Sequence, residues 1–142
     1  MLTVNLMPYR FDFDPTNRIL RGRILGPITD EQLKRFYRDM REYLGLMNPR
    51  AAVADFSLVT HVTVTRETVL LLADSTPPSS GPRRPYVVIA GSPLLFGLAR
   101  MFELALQDTC ADVHVVMTEQ EAWAILGLRR PPEFNTSPRP ET

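Results

Sequence analysis

The apolar positions of this chain recur at two spacings, and the switches between them mark out its elements. Tyr9, Phe11 and Phe13 alternate with Arg10 and Asp12, the period of two that belongs to a strand with one apolar face. A second apolar run, Ile19 to Leu25, follows across Asp14-Pro15-Thr16-Asn17, which has strong turn chemistry, so the two runs predict a β-hairpin solvated on one side. Gly26-Pro27 is expected to stop the second strand. The period then lengthens. Leu33, Phe36, Tyr37, Met40 and Leu44 fall on one helical face, while Lys34, Arg35, Arg38, Arg41 and Glu42 lie largely on the other. Thr29 with Gln32 fits a capping box, Asp30 and Glu31 suit the positive end of the helix dipole, and Gly45 is the expected end.

After the turn at Asn48-Pro49, Ala51 to Phe56 reads as a third strand and Ser57 to Thr65 as a polar loop. Thr65 caps a short helix reaching about Ala73. Val69, Leu70, Leu71, Leu72 and Ala73 leave that helix almost no polar face, so part of it needs cover besides the sheet: the adjacent helix, a second subunit or an acyl chain. Ser75 to Pro85 carries four prolines and a glycine and is expected as an exposed loop.

Tyr86 to Ala90 reads as a buried strand, ended by Gly91; Ser92 and Pro93 then mark the start of a helix. Arg100, Glu103 and Gln107 share one stripe of this helix, and Leu94, Leu98, Met101, Phe102 and Ala105 are expected to face the sheet. Phe96 falls on the polar stripe, which marks it as a contact residue or as one packed beneath the proline-rich loop or a neighbouring helix. Asp112 to Met117 predicts a fifth strand, and Thr118 with Glu121 a second capping box before a helix holding Trp123, Ile125 and Leu126. From Arg129 onward four of fourteen residues are proline, so residues 129–142 are expected as a disordered tail behind one domain, residues 1–128. Strands alternating with helices predict an α/β fold: a mixed, mainly parallel five-stranded sheet with about four helices and the hairpin at its edge.

Sixteen basic residues balance sixteen acidic ones in a chain of 142, so no overall field draws it to nucleic acid or anionic lipid. A lone cysteine, Cys110, and charged residues among the first twenty predict a cytoplasmic chain, and no apolar run is long enough to cross a membrane. Asp55, Ser57 and His61 superficially offer a catalytic set, but three such residues within seven positions fit no strand-turn-helix elbow. His114 alternates with Val113 and Val115 as an ordinary strand residue. With no phosphate loop and no C-x-x-C pair, the chain is expected to be non-enzymatic, without a cofactor or metal.

Two segments resemble the STAS domain, and in particular its SpoIIAA-like, anti-sigma-factor-antagonist-like branch. Ala52-Val53-Ala54-Asp55-Phe56-Ser57-Leu58-Val59 is similar to the family's strand and loop before its second helix, and Phe96-Gly97-Leu98-Ala99-Arg100-Met101-Phe102-Glu103 to its third. Thr118-Glu119-Gln120-Glu121-Ala122-Trp123 also fits, so the resemblance spans roughly residues 9–128. It implies a bacterial regulatory module acting through protein interaction, as a homodimer or with another protein; the apolar second helix and the polar stripe of the third make Val69, Leu72, Phe96 and Arg100 the candidate partner or ligand surface. The alternative it implies is a small lipophilic ligand or a peripheral membrane contact. Regulatory members carry a phosphorylated serine at the start of the second helix. Here Thr63 and Val64 occupy that pair, which leaves Thr65 and Thr63 as candidate phospho-acceptors; an N-cap role for Thr65 is the simpler reading.

Overall fold

The computed structural model describes residues 9–76, 83–109 and 111–136. Cys110, most of the proline-rich loop and the first eight residues lie outside them.

The hairpin forms as its turn chemistry predicts. Strand β1 (Tyr9–Asp14) pairs antiparallel with β2 (Ile19–Thr29). The buried Asp14 carboxylate accepts the backbone N–H groups of Thr16 and Asn17 at 2.9 and 3.3 Å and the Asn17 side-chain amide at 2.8 Å. Helix α1 (Asp30–Met47) starts at Thr29 with the predicted capping box. It runs past Gly45 because Asn48, which tolerates the left-handed conformation at φ 45°, closes it by donating its N–H to Leu44.

Two strands are longer than expected. β2 continues through Gly26-Pro27, and β3 (Ala51–Thr63) absorbs most of the segment read as a loop. The two pair in parallel from Ile19↔Ala51 to Thr29↔Thr63, with irregularities at Arg23/Leu25 and Gly26/Pro27. Gly26 at φ 77° makes the kink that lets a proline sit in the ladder, and Thr60, Val62 and Thr63 suit a strand.

Helix α2 (Arg66–Asp74), strand β4 (Pro85–Ile89), helix α3 (Pro93–Ala105), strand β5 (Asp112–Val116) and helix α4 (Glu119–Ile125) follow in the predicted order. The sheet order is β5-β4-β3-β2-β1 with a further two-residue strand, β6 (Asn135–Thr136), antiparallel to β1 at the edge. Strands β2 to β5 are parallel and progress in one direction across the sheet. Right-handed crossovers therefore carry α1, α2 and α3 to the same face, while α4 packs Ala122, Trp123 and Leu126 against Ile19, Val53, Val87 and Ile89 on the other.

The three-helix face holds the larger core. Phe11 stacks on Phe36 and Tyr43 at centroid distances of 5.5 and 4.5 Å, and Tyr9 meets Phe36 edge-on. Gly22 is required beneath them, since a Cβ there would lie 2.7 Å from ring atoms of both Phe11 and Phe36. On the opposite face the hairpin is not solvated as expected. Asp12 is buried and pairs with Arg21 at 3.0 Å, and the Arg21 guanidinium lies 4.0 Å over the Phe134 ring. The chain beyond Leu128, expected as a tail, instead returns to the sheet: Phe134 meets Trp123, and Asn135–Thr136 pairs with Phe13 and Asp12. Residues 137–142 lie outside the described part.

Candidate ligand site between three helices and the sheet

Strand alternation and helical periodicity aim one set of apolar side chains at a common space. Ala54 and Phe56 of β3, and Tyr86 and Val88 of β4, share the three-helix face by their period of two. Leu95, Leu98, Ala99 and Phe102 follow the i, i+3, i+4, i+7 stripe of α3; Val69 and Leu72 come from α2, and Leu33, Phe36 and Tyr37 from α1. With Ile28 and Val64 they line a partly open cavity of about 70 Å³. A single water needs on the order of 10–15 Å³, so this space exceeds a packing defect. No lysine, arginine or carboxylate lines it.

Two of the lining residues, Tyr37 and Tyr86, carry hydroxyls. That of Tyr37 is hydrogen-bonded to Thr76, whose own hydroxyl also reaches the Leu72 carbonyl at 3.0 Å, and the Tyr37 ring stands edge-on to Phe102. The Tyr86 hydroxyl makes no hydrogen bond among the described residues. Burial raises the pKa of both tyrosines above the ordinary phenol value, and for Tyr86 the neighbouring Tyr37 adds to the effect.

The candidate residues separate. Val69 and Leu72 are buried in the cavity wall, so they face the interior rather than an open surface. Phe96 is half-buried and outside the lining; Arg100 is exposed and paired with Glu103. The sheet-facing stripe of α3 also differs from the one expected. Leu95 and Leu106 are buried, whereas Leu94 is 57% exposed and Ala105 is exposed. Tyr37, Phe56 and Tyr86 were not singled out by sequence, although the helical spacing of Tyr37 and the alternation of Tyr86 with Val88 carried their orientation.

Thr65 caps α2 by accepting the Thr68 N–H at 3.3 Å, and its own N–H and hydroxyl donate to the Asp30 carboxylate at 2.8 and 2.9 Å. These bonds, the backbone one first, hold Asp30 below the usual carboxylate range. A phosphate on Thr65 would face that carboxylate. The Thr63 hydroxyl donates to the Ile28 carbonyl.

Asp55 accepts the Ser57 backbone N–H at 2.9 Å, while the His61 ring contacts Thr60 and His114 contacts Asp112. Among the described residues no group of three His, Cys, Asp or Glu side chains is placed to hold a metal, and no helix is long and apolar enough to cross a membrane. On the far face of the sheet, Arg23 lies 3.9 Å from both Asp12 and Asp55 and joins the Asp12–Arg21 pair into one ionic network. Burial lowers the Arg21 pKa, against its hydrogen bond to the Asp12 carboxylate, which raises it.

No protein-family model and no curated protein matches this chain. Among solved structures it is similar to an uncharacterized protein of the DUF3478 family with a SpoIIAA-like fold from Shewanella loihica PV-4. The two are 15% identical, the match covers 89% of this chain and 99% of that one, and the TM-score is 0.51. With the strand order, the parallel crossovers and the edge hairpin, that likeness gives the chain a SpoIIAA-like fold.

Proposed function

We propose that the protein is a non-enzymatic binding module that holds a small lipophilic ligand between α1, α2, α3 and the sheet. The observation that carries this reading is the apolar cavity, walled by aromatic and aliphatic side chains from all three helices and three strands. Of the apolar residues of α2, Val69 and Leu72 turn toward this cavity, where the helix packs beside α3. The test is native mass spectrometry of the chain purified gently from its host. An added mass that survives desalting and is lost on organic extraction is expected; a bare chain at every stage of purification counts against the reading.

A second reading, a regulatory protein-interaction module, has its own observation in support. Leu70 and Leu71 of α2 and Leu94 and Leu104 of α3 are 46–57% exposed, on two helices packed side by side. If that surface joins two copies of the chain, Leu71→Asp converts a dimer into a monomer in sedimentation velocity, and a wild-type monomer at all concentrations removes the homodimer from consideration. In either reading the lone cysteine fits a cytoplasmic setting.

A further inference from the structure

Within the apolar wall, the Tyr86 hydroxyl stands apart. Buried tyrosine hydroxyls ordinarily find a partner, because a desolvated donor without one is costly. The neighbouring Tyr37 hydroxyl has Thr76; the Tyr86 hydroxyl has none among the described residues. Tyr86 is half-buried and lines the cavity beside Phe102 and Val88, so its hydroxyl is not sealed away from an occupant. Its apolar surroundings keep it protonated, which makes it a donor at physiological pH. The wall contains no cation to compensate a buried anion.

Resting on the reading of the cavity as a ligand site, we propose that its ligand is a neutral molecule with one hydrogen-bond acceptor, a carbonyl or ether oxygen on an otherwise apolar skeleton, and that Tyr86 donates to it. A pure hydrocarbon leaves the hydroxyl unpaired, and a free acid brings a charge that nothing in the wall balances. Tyr86 is thus the residue that distinguishes ligands of similar shape.

The test uses the full chain, stripped of bound molecules, and three probes small enough for a cavity of about 70 Å³: acetone, its near-isosteric hydrocarbon isobutene, and acetate. Dissociation constants are read from amide chemical shifts in the wild type and in Tyr86→Phe, after thermal melts show both folded. Loss of one neutral hydrogen bond corresponds to roughly a 2- to 10-fold change, so Tyr86→Phe is expected to weaken acetone about fivefold and to leave isobutene equal or tighter. Acetate is expected to bind the wild type at least about tenfold more weakly than acetone. Equal effects of Tyr86→Phe on acetone and isobutene, or acetate binding as tightly as acetone, overturn the inference while leaving the cavity a ligand site. Failure of both neutral probes to bind the wild type overturns the ligand reading itself.

Discussion

Ala99→Leu adds three carbons to a helix position that borders the cavity, and its sign depends on whether that space is vacant. At about 24 cal/mol per Å³, a cavity of about 70 Å³ costs the fold about 1.7 kcal/mol, which sets the upper limit on what filling it returns. The transfer of three carbons out of water, at about 0.8 kcal/mol each, gives a similar bound. Leucine is nearly as good a helix former as alanine, so the backbone term is small. Imperfect fit reduces the gain, and we expect about 1 kcal/mol of added stability in the ligand-free protein, a rise of roughly 3 °C in Tm. The assay is urea unfolding of chain that has been denatured and refolded to strip bound molecules, alongside titration with an apolar probe. Affinity should fall at least about tenfold, because the leucine occupies the probe's place. In a close-packed interior the same change costs about 1–3 kcal/mol. A loss of 1 kcal/mol or more with unchanged probe binding would refute the reasoning.

Gly22→Ala is the opposite case: its methyl would meet buried rings of Phe11 and Phe36 at 2.7 Å, so urea unfolding should show a loss of about 2 kcal/mol, and a neutral result would mean that the aromatic stack is looser than described. Phe134→Ala removes the ring beneath the Arg21 guanidinium and beside Trp123, and a loss of about 2 kcal/mol is expected in the same assay; no change would make the return of the C-terminal segment incidental. For Tyr86 the folded-state pKa is raised by burial, so an unfolded chain ionises near pH 10 while the folded one keeps its proton. Stability that is whole below about pH 10 should therefore decline above it, and the fall in unfolding free energy between about pH 9 and about pH 11 should be smaller in Tyr86→Phe; equal slopes would place the hydroxyl in water.

The features legible in the sequence are those fixed by neighbours in the chain. Thr29 with Gln32 and Thr118 with Glu121 form their capping boxes, Ser92 and Pro93 start α3, and Asp14 builds its turn, because each needs only residues within four positions. The alternation of strands and helices was enough to give a parallel sheet with an edge hairpin. Gly26-Pro27 misled because its stop signal is local, whereas a parallel partner strand accommodates the pair through a kink at Gly26. The sheet-facing side of α3 was misread since Pro93–Ala105 is apolar on nearly every side, and periodicity cannot rank faces where polar residues are few. Phe134 sat in a proline-rich segment whose composition gave no sign of Arg21 waiting across the sheet. Val69 and Leu72 were recognisable as a contact surface from the apolar excess of α2, but that the contact is a cavity depends on Ala54 and Ala99, brought opposite from β3 and α3.

The central claim, an apolar cavity between α1, α2, α3 and the sheet, is tested most directly by a crystal of the stripped protein pressurised with xenon, which enters dry apolar cavities. The account predicts a xenon atom among Phe36, Leu72, Val88 and Leu98 that is lost in Ala99→Leu. Well-ordered crystals with no xenon there, and those side chains closed upon one another, would contradict it.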